Sequence, residues 1–374
     1  MTAVPVTRTA AIAERWRPVL RWWGLSRLVT LAAFGILELL GPRGSLGPPF
    51  YSRPLAILSS WDGVWYSRIA QHGYLLVPGR QSDTAFFPLY PLVLRAGNAI
   101  GVPPHVSGPI VSNLALAVAL VAFYELGRHV VGESVALRAT IFAAVAPMSF
   151  VYSMTYPMSA LFALGALATL FAYEDRWLAA AACAAGAGLT RPEAIAFALP
   201  IAQRAWTRRR ALGEGRRGVA VAAVLAAPVA VATYPLYLKW ALGDVHAWSQ
   251  AERRWGRSFR IDGPIRAIVH VPAMINGHPG LARDVVLFAV YAALLIVAAR
   301  AGIGRAWVAA GAAVVVLPLF SGTFESEGRF GLIAFPLYWA LAIFARTRRR
   351  ERAVIVGSIS LLGAGIAGLP YIWP

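Results

Sequence analysis

Residues 178–203 read LAAAACAAGAGLTRPEAIAFALPIAQ, an apolar stretch set between the short charged link Glu174 to Arg176 and the strongly basic run from Gln203 to Arg217. Arginine accumulates on the cytoplasmic side of membrane proteins. Both flanks therefore belong on that side, and a single crossing would separate them. The chain has to enter the bilayer and return. Its turning point is Thr190-Arg191-Pro192-Glu193, because the residue before a proline is pushed out of helical geometry while proline itself suits a first helical turn. The pattern predicts two helices, 178–189 and 192–203, each about 18 Å long at 1.5 Å per residue. That is too short for a hydrocarbon core of about 30 Å. Non-helical backbone at such depth persists only where protein or a wet cavity covers it, so Arg191, at the tip of this hairpin, is expected to line a cavity.

The composition agrees with a membrane setting. The chain has 374 residues, of which 58% are hydrophobic and 14% charged, with a mean hydropathy of +0.60. These values exclude an ordinary soluble enzyme. A net charge of +18 invites a nucleic-acid reading, but the arginines cluster between apolar segments, from Arg8 to Arg27, Arg204 to Arg217 and Arg346 to Arg352. That is the pattern of cytoplasmic loops, and no nucleic-acid partner is expected. Cys183 stands alone in an alanine-rich segment, so neither a disulfide nor a thiolate metal site can be built. The basic N-terminus and the apolar run 28–40 resemble a signal peptide, yet the run ends in Gly41-Pro42-Arg43 without a small-x-small cleavage site, so it reads as an uncleaved first span.

Further spans are expected over 20–40, 107–127, 135–150, 157–173, 219–240, 285–299, 307–320, 330–345 and 354–369. The fold class is all-α: a polytopic helical bundle with about ten or eleven membrane helices, short and re-entrant ones included. Residues 1–374 read as one integral membrane domain of the cell membrane with a cytoplasmic N-terminus. Residues 41–106 form a first extracytoplasmic loop with interfacial helices, and 241–280 a second. No internal repeat stands out, which weakens a repeat-built transporter.

The first of those loops carries Trp61-Asp62-Gly63-Val64-Trp65-Tyr66, then Ile69-Ala70-Gln71-His72-Gly73-Tyr74 and Ala85-Phe86-Phe87-Pro88-Leu89-Tyr90-Pro91. An acid held among rings at a membrane surface usually marks a site. Asp62 has three readings: the cap of a helix beginning at Gly63, a surface ion pair with Arg53 or Arg68, or a general base that takes the proton of an incoming hydroxyl. Trp65, Ile69 and His72 recur along one face, predicting an interfacial helix over 64–73. Tyr66 and His72 read as anchors more readily than as catalysts, and 86–91 as a rigid aromatic entry to the next helix. Arg253 and Arg254 read as interface anchors. Arg191 and Arg329 sit at helix junctions facing the presumed cavity, and guanidinium suits a lipid phosphate at that depth. No pair of carboxylates or histidines has metal-ligand spacing, and no glycine pair follows a strand to cradle a nucleotide.

Taken in order, Trp61-Asp62 through Gly73-Tyr74, Phe86 to Pro91, Leu189-Thr190-Arg191-Pro192, Gln250…Trp255-Gly256-Arg257, Gly328-Arg329-Phe330 and Phe335-Pro336-Leu337 resemble the bacterial relatives of PIG-V, the second mannosyltransferase of GPI-anchor synthesis, in the GT-C superfold of membrane glycosyltransferases. The resemblance runs over most of the chain; its first block is fairly specific and its later ones are short. It implies an inverting mannosyltransferase that uses polyprenyl-phosphate-mannose as substrate, needs no cofactor, and acts on an extracytoplasmic glycan or glycolipid among membrane lipids. By that resemblance Asp62 is the base, and Trp61, Tyr66, His72, Tyr74, Arg191, Arg257 and Arg329 bind substrate. One departure is Tyr156-Pro157-Met158-Ser159, where such relatives often carry an acid; Met158 cannot bind a sugar hydroxyl as a carboxylate would. The rival reading is a transporter or flippase for a lipid-linked sugar, which needs the same cavity and arginines but no base.

Overall fold

A computed structural model describes residues 8–40, 56–277 and 279–371, and among them every regular element is helical. In chain order the α-helices are α1 (Arg8–Leu40), α2 (Asp62–His72), α3 (Leu89–Ala99), α4 (Pro104–Val130), α5 (Glu133–Ala144), α6 (Met158–Tyr173), α7 (Trp177–Thr190), α8 (Ala198–Arg208), α9 (Glu214–Leu242), α10 (Ala247–Arg254), α11 (Gly263–Val269), α12 (Val271–Gly277), α13 (Pro279–Arg300), α14 (Arg305–Val316), α15 (Glu327–Phe330), α16 (Phe335–Phe344) and α17 (Arg348–Gly368).

Among the described residues five helices are long and apolar enough to cross a bilayer: Ile12–Leu40, Pro104–Val130, Glu214–Leu242, Gly280–Arg300 and Arg348–Gly368. Large apolar side chains such as Leu28, Leu39, Leu114, Leu225 and Val356 stay exposed on them, as lipid-facing surfaces require and water-facing ones do not. The chain is a membrane protein. Glu327–Ile333 and Phe335–Phe344 make a sixth when counted as one bent span, and the described residues also hold three shorter apolar helices.

Where the spans differ from expectation, proline is the usual cause. Instead of a straight helix over 330–345, the chain bends by 83° ahead of α16; Ala334 leaves helical geometry (φ −83°, ψ 82°) and Pro336 restarts the helix from its first turn. The expected span 135–150 stops at Ala144, Pro147 follows, and a 3₁₀ turn takes over at Ser149–Ser153. The span 307–320 likewise passes from α14 into a 3₁₀ turn, Leu317–Ser321, with proline in its first turn.

Arg27 also departs from expectation. Rather than facing the cytoplasmic surface with the other N-terminal arginines, it is 4% exposed. Its guanidinium donates to the Ala144 carbonyl (2.9 Å), the Ser149 carbonyl (3.1 Å) and the Ser153 hydroxyl (2.8 Å). It thus satisfies carbonyls released where α5 ends.

The chain turns back at the expected point, since Arg208 at the end of the second arm pairs with Asp175 at the start of the first, 2.7 Å apart, but the helix expected over 192–203 begins only at Ala198 and runs on to Arg208. The first arm, α7, has 14 residues. Arg191 is fully extended (φ −163°, ψ 150°), Pro192 opens a 3₁₀ turn to Phe197, and α8 completes the return. α7 lies tight against α9 because small residues face each other: a Cβ on Gly188 would come within 2.6 Å of the Ala227 carbonyl oxygen. Such contacts let backbones approach where lipid gives no hydrophobic drive for helix association.

At the bundle centre, Phe123 stacks on Trp339 with centroids 5.5 Å apart, and Trp307 meets Trp339 edge-on at 4.8 Å. Phe162, Phe197 and Phe335 join the same aromatic core.

Candidate active site

Asp62 is positioned by the turn that precedes it. Residues 57–62 are tied to the 149–156 segment: the Thr155 N–H donates to the Leu58 carbonyl at 2.7 Å, the Ser59 and Thr155 hydroxyls lie 2.6 Å apart, and the Asp62 N–H donates to the Tyr156 hydroxyl at 3.3 Å. Trp61 is forced to a positive φ of 50°, and α2 starts at Asp62 with no side-chain cap. Capping is therefore not what this carboxylate does. Nor does it pair with Arg68, whose Nε lies 3.8 Å from Asp83 instead; Arg53 lies outside the described residues. Arg329 takes that place, donating from Nη1 to Asp62 Oδ2 at 2.5 Å across 267 residues of sequence.

The pair lies in the wall of a pocket of about 600 Å³, which Tyr66, Arg191, Glu193, Trp248, Glu252 and Arg257 also line. Four arginines (Arg191, Arg253, Arg257 and Arg329) and three acids (Asp62, Glu193 and Glu252) thus share one hollow. Their commitments differ. Arg191 grips Glu193 with two parallel hydrogen bonds, 3.1 and 2.7 Å long. Arg257 makes no ion pair among the described residues; it donates to the Ser326 hydroxyl at 2.9 Å. Ser326 also accepts from Arg329 Nη2, at 3.0 Å, so one hydroxyl holds two like-charged guanidiniums side by side. Ser326 has a positive φ of 68° and is fixed from behind by Asp284, whose carboxylate accepts the Ser326 N–H (2.8 Å) and the Gly328 N–H (3.2 Å).

Burial lowers the Arg257 pKa and the neighbouring charge of Arg329 lowers it further, as expected where cations are gathered ahead of an anion. Burial pushes the Glu252 carboxyl up from its ordinary value, while Arg257 pulls the other way.

Beside the pocket lies an apolar groove of about 690 Å³ lined by Ile195, Leu199, Val314, Leu317 and Phe320. The two share Pro192, Glu193, Trp248, Arg257, Ser258 and Phe259 as a common wall. Leu317 and Phe259 are 60% and 74% exposed, so the groove is open to the surface.

Of the residues singled out from the sequence, the structure brings Asp62, Tyr66, Arg191, Arg257 and Arg329 together. It does not bring Trp61, His72 or Tyr74. Trp61 packs against the main core. His72 is exposed at the end of α2, and Ile69 is buried while Trp65 stacks on Phe86 (6.0 Å), so α2 does not present one interfacial face. Tyr74 donates to the Phe86 carbonyl and borders a separate groove of about 320 Å³ with Tyr234 and Tyr237. Arg253, expected as an anchor, lines the pocket. Met158 is fully buried in the core, away from the pocket. Glu193, Trp248, Glu252 and Ser326 were not anticipated. Glu193 stood in the quoted turn, but a pair two residues apart in non-helical backbone leaves no periodic trace.

Fold and site together describe a helical membrane protein with a charged pocket that shares a wall with an apolar groove. Among solved structures the chain is similar to ArnT from Cupriavidus metallidurans, with a TM-score of 0.54 and 15% identity over 91% of this chain; it spans 62% of that longer chain, whose crystal structure is of the form bound to undecaprenyl phosphate. The mannosyltransferase (PIG-V) family model matches residues 45–229 of the chain. That segment contains Asp62, Arg191 and Glu193, whereas Glu252, Arg257, Ser326 and Arg329 lie beyond it. No curated protein matches the sequence.

Proposed function

We propose that this protein moves mannose from a polyprenyl-phosphate donor to an acceptor hydroxyl on the extracytoplasmic side of the cell membrane, with inversion at the anomeric carbon. The observation that carries the reading is the shared wall between an arginine-lined pocket and an open apolar groove. A donor with a charged head and a long isoprenoid tail needs that junction, and ArnT is a protein of similar fold whose structure holds such a lipid phosphate.

In this mechanism the isoprenoid lies in the groove and its phosphate meets Arg257 and Arg329, the two guanidiniums that Ser326 holds together. Arg191, already neutralised by Glu193, contributes mainly to the shape of the wall. The acceptor oxygen attacks the anomeric carbon from the face opposite the phosphate. The carbon–oxygen bond to phosphate breaks, polyprenyl phosphate leaves with the electron pair, and Asp62 accepts the acceptor's proton. Fixed cations aimed at the phosphate stabilise the charge that grows there. The arginine clusters support this orientation: Arg204 to Arg217 runs from the end of α8 into α9, Arg346 to Arg352 leads into α17, and such clusters favour the cytoplasmic side.

The test is Asp62→Asn. Purified protein supplied with polyprenyl-phosphate-mannose should lose roughly 10²- to 10⁴-fold in turnover while still binding the donor lipid. A lipid-linked-sugar flippase would translocate unchanged with that variant, and such a result would defeat the transferase reading.

A further inference from the structure

Two of the three pocket acids are engaged: Asp62 by Arg329, and both Glu193 oxygens by Arg191. Glu252 is not. Among the described residues it makes no ion pair, and Oε1 accepts only the Trp248 indole N–H, at 3.3 Å. An ionised carboxylate has about four acceptor sites, so most of this group's capacity is open to the pocket it lines. Its place is fixed through its main chain, because the Glu252 carbonyl accepts the Arg257 N–H at 2.8 Å and the Trp255 N–H at 3.1 Å. Trp248, one turn earlier on α10, lines the same pocket and is itself held edge-on against Phe87 at 5.5 Å.

The side chain therefore combines three properties: open acceptor sites, a rigid indole beside it, and guanidiniums near enough to feel its charge but not in contact with it. A hexose phosphate demands all three. Its hydroxyls need acceptors, the apolar face of its ring needs an aromatic surface, and its phosphate needs the cations. We propose that Glu252 accepts hydrogen bonds from hydroxyls of the transferred hexose and so decides which sugar donor is used. This rests on the transferase reading above and divides the acids by task, with Asp62 taking the proton and Glu252 reading the sugar. A site built to bond a hydroxyl rejects analogues that lack or misplace it far more strongly than an apolar pocket rejects a misfit.

The experiment measures kcat and KM for polyprenyl-phosphate-mannose and polyprenyl-phosphate-glucose with the wild type, Glu252→Gln and Glu252→Ala, alongside equilibrium binding of sugar-free undecaprenyl phosphate. Glu252→Ala should lose roughly 10- to 100-fold in kcat/KM on the preferred donor and much less on the other, so that the preference collapses. Glu252→Gln, which keeps a hydrogen-bonding head, should retain kcat with a raised KM, and undecaprenyl phosphate should bind both variants as it binds the wild type. The assignment is overturned if the preference survives Glu252→Ala. It is also overturned if Glu252→Gln abolishes kcat on both donors at unchanged KM, since Glu252 would then be a base, or if undecaprenyl phosphate binding is lost, since the residue would then only support Arg257. A wild type inactive on both donors would defeat the transferase reading itself, and this assignment with it.

Discussion

Asp62 and Arg329 each follow closely on a residue with positive φ that is not glycine, Trp61 at 50° and Ser326 at 68°. Such conformations cost on the order of 1–3 kcal/mol each and persist only where the surroundings over-determine them. Here the surroundings do: Thr155 and Tyr156 hold the first turn, and Asp284 holds the second. The strain fixes two side chains from distant parts of the sequence into one pair. Arg329 uses separate nitrogens for Asp62 and for Ser326, which a lysine ammonium on its flexible stem cannot reproduce in one geometry. Arg329→Lys should therefore leave the fold intact but lower kcat/KM by roughly 10- to 100-fold, as steady-state kinetics on the purified variant would show. Glu252 carries a second prediction at this scale. Burial raises its pKa in the folded protein above the ordinary 4.5, so the folded state holds the proton more tightly than the unfolded chain. Its contribution to stability is present below about that pH and declines as pH rises through the folded value. Thermal melts of Glu252→Gln against the wild type over this range should show that part of the slope removed.

At the scale of elements, the hairpin carries Arg191 to the pocket, and its depth is set by glycine and alanine. Gly188 lies three residues before Arg191, and a Cβ there would also meet the Ala230 Cβ at 2.9 Å. Gly165 on α6 leaves room for the Phe197 ring, 2.2 Å from where its Cβ would stand. Valine at Gly188 would push α7 off α9 and shift the tip, and overpacking of this kind costs about 1–3 kcal/mol. Gly188→Val should lower the melting temperature and reduce activity together, whereas Gly186→Ala, whose Cβ meets only the Leu164 and Leu89 side chains at 3.4 Å or more, should do neither. The hairpin was legible because charge on both flanks over-determined it. The bend before α16 was not, although the proline rule that located Arg191-Pro192 applies equally to Phe335-Pro336: an apolar run interrupted by proline looks continuous when composition alone is followed. Arg27 was misread for a related reason. Arginine counts assign sides to loops, but they do not separate a surface charge from one that seals the carbonyls at a broken helix end.

For the whole molecule, what the sequence could not express is convergence. Asp62 and Arg191 lie within the half of the chain that a family pattern describes, but Arg257 and Arg329 come from later segments, and only the closed bundle brings α2, the hairpin, α10 and α15 around one hollow. Convergence also bears on orientation. α9 begins beside the basic run 204–217, and its 29 residues, about 43 Å of helix, carry the chain to α10 at the pocket. If the arginines are cytoplasmic, residues between α9 and α10 are outside. His246, exposed just before α10, and Arg210, exposed ahead of α9, mark the two ends. With Cys183→Ala removing the single native thiol, His246→Cys should react with a membrane-impermeant maleimide in intact cells, and Arg210→Cys only after permeabilisation. The reverse labelling would put the pocket in the cytoplasm, where an extracytoplasmic acceptor could not reach Asp62, and the proposed reaction would then need an acceptor on the other side of the membrane.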